Sequence, residues 1–246
     1  MKKIISLTAL LVSFSVSGIA QTRLSSRYHF VDLTGTVGAS QGSVAASYVH
    51  NWRLGRKRKI EAGIGARWTT YFGTKKDFLT AGPAKKTRSY TAPFLIFFAG
   101  QEEQNFDTLT VQRPLTNSLS LTVNLGYNLS RRLYAGFNID VVGFSFGRKG
   151  SGILTSNGAT TIESNAKPTA FNALLTGDHD RGTLNSEFFL RYSFHKRWAA
   201  KAVYQFIFVE YETQQRKQTF SDGSMNNRFR NKANNFGLGL AYHFKN

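Results

Sequence analysis

The 246-residue chain has no cysteine, only four prolines and only two methionines. Without cysteine there is no disulfide scaffold, zinc-thiolate site, iron–sulfur cluster, thiol nucleophile or lipidated cysteine. So few prolines allow long uninterrupted regular segments. Acidic residues are also scarce, 14 Asp and Glu against 32 Lys and Arg, for a formal net charge of +18. After the first 20 residues no apolar run approaches the about 18 residues that a membrane-crossing helix requires. The mean hydropathy of −0.29 agrees. What is plentiful is aromatic: 21 Phe, 10 Tyr and 3 Trp, with 22 Gly. That content is too rich for a disordered basic tail, and the length suits a single domain.

A strongly basic chain first suggests nucleic acid, because Lys and Arg neutralise phosphates and release counterions. The N-terminus argues otherwise. Lys2 and Lys3 precede an apolar stretch from Ile4 to Val16 and a small-residue exit, Gly18-Ile19-Ala20. This is the three-part layout of a secretory signal. Residues 1–20 are therefore expected to be a cleaved leader and residues 21–246 the exported domain. A basic exported protein meets lipid phosphates and surface polymers, and no nucleic-acid partner is expected.

From about residue 28 the dominant signal has period two. In NSLSLTVNLGYNL (117–129) Leu119, Leu121, Val123, Leu125, Tyr127 and Leu129 share one face; Ser118, Ser120, Thr122, Asn124, Gly126 and Asn128 share the other. Alternation over 10 to 13 residues matches a tilted transmembrane β-strand, whereas strands of soluble sheets usually run about five or six. The pattern recurs at 59–72, 132–146, 184–194, 198–212 and 234–244, with weaker strands at 28–37 and 43–53. The connections sort into short basic turns, GRKRK (55–59), SRR (130–132) and HKR (195–197), and long polar loops at 73–116, 147–183 and 213–233. This spacing predicts an all-β, antiparallel, up-and-down transmembrane barrel of eight strands. The apolar run TAPFLIFFAG (91–100) and the following acidic QEEQN leave ten strands as the alternative; the eight-strand reading makes this region a hairpin above the membrane.

These residues resemble the small outer-membrane β-barrel family, the eight-stranded OmpA/OmpX-like proteins of Gram-negative bacteria. The resemblance covers the leader, the strand grammar from 28 to 244 and the terminal strand FGLGLAYHF, whose aromatic end Phe244 is followed here by Lys245 and Asn246. It implies a monomer in the outer membrane, with the barrel assembly machinery, outer-membrane lipids and lipopolysaccharide as partners. An aromatic girdle is expected where strands meet the short turns, at Trp52, Tyr127, Phe194, Trp198, Tyr242 and Phe244.

The inward face carries Asp32, Glu61, Asp140 and Glu187 with Arg67, Arg191 and Lys201. The interior of an eight-stranded barrel is just wide enough for side chains to fill it, and buried charges must be paired. These seven are expected to form a lumen charge network, with inward glycines such as Gly63, Gly126, Gly136 and Gly237 making room. A polar path for a small solute is the other reading of the same residues.

No catalytic or metal-binding residues are predicted, and no cofactor. The five histidines, at 29, 50, 179, 195 and 243, sit in no motif that resembles a membrane-barrel hydrolase or acyltransferase, and such chemistry needs a nucleophile in reach of an oriented His. The loop string Asp178-His179-Asp180 lacks the glycine and glutamate spacing of a calcium loop. The excess of basic residues lies in the loops and turns. Lys85, Lys86, Arg88, Arg228 and Arg230 are the expected contacts to anionic lipopolysaccharide or surface polymer. The chain thus reads as a non-enzymatic outer-membrane barrel with a structural or surface-interaction role, with a narrow porin-like channel as the alternative and a lipid-modifying barrel enzyme as a third class.

Overall fold

The computed structural model describes residues 27–82, 84–87, 105–156, 158–175 and 180–244. The leader, Arg88, the apolar run 91–100 and His179 lie outside these residues. Along the chain the strands are β1 (Arg27–Gly38), β2 (Gln41–Leu54), β3 (Ile60–Gly73), β4 (Lys75–Thr80) and β5 (Thr108–Gln112). Then follow β6 (Leu115–Asn128), β7 (Leu133–Gly147), β8 (Gly150–Ser156), β9 (Ala159–Pro168) and β10 (Phe171–Ala173). The last are β11 (Leu184–Ser193), β12 (Trp198–Glu212), β13 (Gln218–Thr219), β14 (Met225–Asn226) and β15 (Arg228–His243). A single helical turn, Ala84–Thr87, follows β4.

Eight long strands pair in succession, all antiparallel: β1 with β2, β2 with β3, β3 with β6, β6 with β7, β7 with β11, β11 with β12 and β12 with β15. β15 then pairs back with β1 from Val37↔Phe236 to Phe30↔His243. The ring closes and leaves no long edge exposed. The alternating sequence sets the two faces because successive strand side chains point to opposite sides. Inside lie Asp32, Thr34, Asn51, Glu61, Arg67 and Ser118; outside lie Leu33, Ile64, Trp68, Leu121, Phe236 and Leu238.

β7 departs from simple alternation. Leu121 faces Val142 and Thr122 faces Asp140, so Val141 is an extra residue, a β-bulge. Beyond it the outward positions change from odd numbers, as at Leu133 and Phe137, to even ones, Phe144 and Phe146. Such a bulge increases local twist and re-aims the strand.

A second closure lies above the first, at the long-loop end. There β12 and β15 run on past the neighbouring strands, pairing as far as Glu212↔Arg228. β9 joins β12 at Tyr211↔Pro168, β8 pairs with β9, β5 with β8, β4 with β5, and β4 meets β15 at Phe229↔Thr80. Four short strands and two long ones thus form a smaller ring on top of the barrel. Its interior is apolar: Phe78, Leu109, Ile207, Val209, Tyr211 and Phe229 form one fully buried cluster, joined by Tyr71 and Leu154. β3 and β6 pair directly from Phe72↔Leu115 to Ile60↔Tyr127 with no strand between them. β4 and β5, of six and five residues, are shorter than the about 9 to 11 residues a spanning strand needs.

Candidate functional site: a filled lumen between two basic rims

All seven predicted lumen charges are buried. The structure sorts them into two layers. In the middle of the barrel, Lys201 Nζ lies 2.7 Å from Glu187 Oε2 and 3.4 Å from Asp32 Oδ1. Arg67 Nη2 is 2.6 Å from Asp140 Oδ1 and its Nη1 is 3.5 Å from Glu187 Oε1. The remaining oxygen of Asp140 accepts from the backbone N–H of Asn185 at 3.0 Å. Asp32, Lys201, Glu187, Arg67 and Asp140 therefore form one continuous chain across the lumen, anchored to β1, β12, β11, β3 and β7.

The second layer lies toward the short turns. Arg191 donates to the Tyr28 hydroxyl at 3.1 Å, and that hydroxyl donates to Glu61. Asn128 donates to Glu61 at 2.7 Å. The Arg191 guanidinium is stacked over the Phe30 ring at 4.5 Å and the Tyr134 ring at 4.4 Å, which lets a cation stay in a dry place. One member is new: Arg53 Nε pairs with Glu61 Oε1 at 3.0 Å. It stands directly opposite Glu61 in the β2–β3 register, so following the period of β2 one step further would have found it. With Arg53 the two layers hold four acids and four bases.

Above the charged chain Gln205 Oε1 accepts from Thr36 at 2.7 Å, Ser43 at 3.0 Å and Asn235 at 2.8 Å. Higher still begins the apolar core of the upper ring. From short turns to long loops the lumen is therefore aromatic and charged, then ionic, then neutral polar, then apolar.

The predicted anion contacts are not brought together. The side chain of Lys85, like all of Arg88, lies outside the described residues. Lys86 forms an ion pair with Asp222, donates to Ser224 Oγ at 2.9 Å and lies 4.9 Å over the Phe220 ring. Arg228 and Arg230 are a correction. They belong to β15, which begins five residues before the expected end of the loop at 233. Both pair with Glu210, at 3.0 and 2.7 Å, and both donate to the backbone carbonyl of Asp180, at 3.1 and 2.7 Å. Arg230 is buried. These guanidiniums fix the segment around Asp180 over β12 and β15; Arg230 is shut away from solvent while the Arg228 side chain stays part-exposed.

A different basic cluster stands at the outer rim. The connections β3–β4, β5–β6 and β7–β8 leave the barrel side by side: Gly73 N–H donates to the Pro114 carbonyl at 3.1 Å, and Arg148 donates to the Leu115 carbonyl at 2.9 Å through its N–H and to the Arg113 carbonyl at 2.9 Å through its side chain. Lys75, Arg113, Arg148 and Lys149 are exposed there, above the exposed rings of Phe72 and Phe146. Arg113 has a φ of +46°, the left-handed turn that the sharp exit requires.

At the opposite rim the predicted girdle is outward-facing. Tyr127, Phe194, Trp198 and Phe244 are exposed, with Trp52 and Tyr242 half-buried. Trp198 meets Tyr242 edge-on at 5.0 Å, and Tyr242 meets Phe244 at 5.4 Å. Arg197 donates to the Tyr242 hydroxyl at 3.1 Å.

Among the described residues the four histidines do not converge on a nucleophile. His29 and His50 stack on the outside of β1 and β2 with centroids 6.1 Å apart, His195 is exposed in a turn, and His243 packs against Phe30 at 5.3 Å. Among the described residues no group of three metal-ligating side chains occurs, and no helix is long and apolar enough to cross a membrane.

No family model matches the chain, and no curated protein matches it. Solved structures do. Neisserial surface protein A is matched at 8% identity and TM-score 0.36, over 89% of this chain and 98% of that one. The attachment invasion locus protein of Yersinia pestis is matched at 8% and 0.34, over 89% and 97%. A major outer-membrane protein of Thermus thermophilus is matched at 12% and 0.37, over 89% and 100%. The chain is thus similar to outer-membrane β-barrel proteins, the family its strand grammar resembles.

Proposed function

We propose that the protein is an integral outer-membrane barrel, crossing the membrane with eight strands, and that its role is structural and surface-interacting rather than catalytic or conductive. One observation carries this: a ring of eight long strands that is apolar outside and lined inside by buried, ion-paired charges. The outward rows of the eight long strands are mostly apolar or aromatic, as a hydrocarbon surrounding requires. Inside, the ion-paired chain from Asp32 to Asp140 fills the cross-section, and the cluster of Phe78, Leu109, Tyr211 and Phe229 lies over it. An ion entering this column would have to break buried ion pairs and then enter an apolar core, both costly. The three-part layout of residues 1–20 supports export.

The narrow-channel alternative is tested by reconstitution into planar bilayers. A sealed lumen gives no steady ohmic current at any voltage below membrane breakdown, whereas reproducible unit conductances would overturn the reading. The surface contact falls to the outer cluster of Lys75, Arg113, Arg148 and Lys149, whose cations stand where phosphates of lipopolysaccharide would lie above the apolar belt. Changing Lys75, Arg148 and Lys149 together to Gln should weaken retention on lipid A bilayers and flatten its salt dependence. Unchanged retention across a salt series would remove this contact from the proposal.

A further inference from the structure

The short-turn rim has a composition that the outer rim does not share. None of the chain's 14 acidic residues falls in a short turn, and the nearest, Glu61, is turned inward and buried. Arg56, Lys57, Lys59, Arg132, Lys196 and Arg197 are exposed. The outer rim, by contrast, mixes Lys75 and Lys149 with exposed Asp77 and Asp222. Two of the basic turns flank β11. The Arg132 carbonyl accepts from Ser193 N–H at 2.8 Å, and the Arg197 carbonyl from His243 N–H at 2.8 Å.

On the lipid-facing surface between these turns lies an apolar groove of about 510 Å³. The strand register explains it. One row across the surface is Ala135, Leu190, Ala202 and Leu238, in which two alanines leave a depression. The next row, away from the turns, is a ladder of rings: Phe137 meets Phe188 at 4.5 Å, Phe188 meets Tyr204 at 6.3 Å, and Tyr204 meets Phe236 at 5.3 Å. Ala200 is the next outward residue of β12 toward Trp198 and Arg197, and it too is small. From Arg197 to Tyr204 the strand advances roughly 23 Å, or about 18 Å vertically at a tilt of about 40°, close to the about 15 Å of one leaflet's hydrocarbon.

We infer that this groove and the two turns form a binding site for an anionic phospholipid of the leaflet facing the short turns. The phosphate lies against Arg132, Lys196 and Arg197, and one acyl chain lies along Ala200 and Ala202, stopped by the ring ladder. The headgroup is set by the charge of the rim, which offers donors and no acceptor carboxylate. The chain position is set by the missing side-chain volume. The inference rests on the reading that the ring spans a membrane, but it fails separately: if that reading fails the protein does not insert, whereas if this one fails the protein inserts without headgroup preference.

The test is native mass spectrometry of the full chain in mild detergent, titrated with phosphatidylglycerol or phosphatidylethanolamine of matched acyl chains. Folding of each variant is checked by its heat-dependent gel shift. The wild type should retain the first phosphatidylglycerol about tenfold better than phosphatidylethanolamine. The variant Arg132→Gln/Lys196→Gln/Arg197→Gln should bring that ratio near one. Ala202→Phe fills the groove from the lipid side, so it should lower retention of both lipids. The outer variant Lys75→Gln/Arg148→Gln/Lys149→Gln should keep the wild-type ratio. A wild-type ratio near one, a ratio that survives loss of the three turn cations, or undiminished retention in Ala202→Phe overturns the site.

Discussion

Arg67 Nη2 and Asp140 Oδ1 lie 2.6 Å apart with neither side chain reaching solvent. Asp140 also takes the Asn185 N–H, so the pair ties β3, β7 and β11 together through one carboxylate. Removing Asp140 leaves Arg67 only the longer ion pair to Glu187 at 3.5 Å, and removing Arg67 leaves Asp140 a buried carboxylate without its cation. Asp140→Ala should cost about 3–5 kcal/mol, whereas Arg67→Met combined with Asp140→Leu should cost far less than the sum of the single changes. Urea unfolding from lipid vesicles, followed by tryptophan fluorescence, measures both. Additive losses would mean that the two residues do not act as a pair.

Leu238 and Ile162 are about equally exposed, at 75% and 69%, yet one is in the middle of β15 and the other in β9 of the upper ring. If the lower ring is embedded in hydrocarbon and the upper one stands in water, the same substitution has two outcomes. Leu238→Arg should destabilise by about 2–4 kcal/mol, while Ile162→Arg should stay within about 0.5 kcal/mol. Equal effects would contradict the assignment of the membrane boundary.

Much of this architecture was legible because period two is a local property. All eight long strands lie where the alternation puts them, and Glu61, Arg67 and Lys201 fall on the inner face with no tertiary information. What stayed hidden depended on pairing. The bulge at Val141 reverses a face, and the only local sign of it is Gly143 two residues on. Arg228 and Arg230 sit in a polar stretch that looks like a loop, and only their register against Glu212 and Glu210 shows that β15 continues through them. Of the upper ring only the β4–β5 hairpin was legible, as the hairpin expected above the membrane within 73–116; its closure through β8, β9, β12 and β15 was hidden for the same reason. Phe78, Leu109 and Phe229 are far apart in sequence and in short segments, and no local period brings them together.

Gly136 faces inward, where an added Cβ would meet the rings of Phe189 and Tyr134. Tyr134 is one of the two rings that stack on Arg191. Gly136→Ala should therefore push Tyr134 off the guanidinium and cost about 1–3 kcal/mol. Gly35 is the comparison, since it faces outward with nothing within 4 Å of its added Cβ. Gly35→Ala should be neutral to slightly stabilising, in the same unfolding assay. A loss at Gly35 equal to that at Gly136 would show that strand flexibility, not lumen packing, sets the requirement for glycine.

Outside the barrel, the hairpin of β13 and β14 is closed by Phe220 N–H to the Ser224 carbonyl and Gly223 N–H to the Phe220 carbonyl, each 2.9 Å. Asp222 at its tip is ion-paired with Lys86 and accepts from Ser224 Oγ at 2.7 Å and Ser224 N–H at 3.1 Å. The hydrogen bond from Lys86, and then those from Ser224, hold its carboxyl below the usual aspartate range. Because the folded value is the depressed one, the contribution is complete above the ordinary aspartate pKa and is lost as pH falls through the folded value. The carboxyl is fully exposed, so the effect is local and screened by salt. Amide exchange at Gly223 and Ser224, corrected for intrinsic rates, should be slow at neutral pH and accelerate in strong acid. Asp222→Asn should give the faster exchange at both pH values. Protection in the wild type that does not change with pH would mean that this ion pair does not hold the hairpin tip.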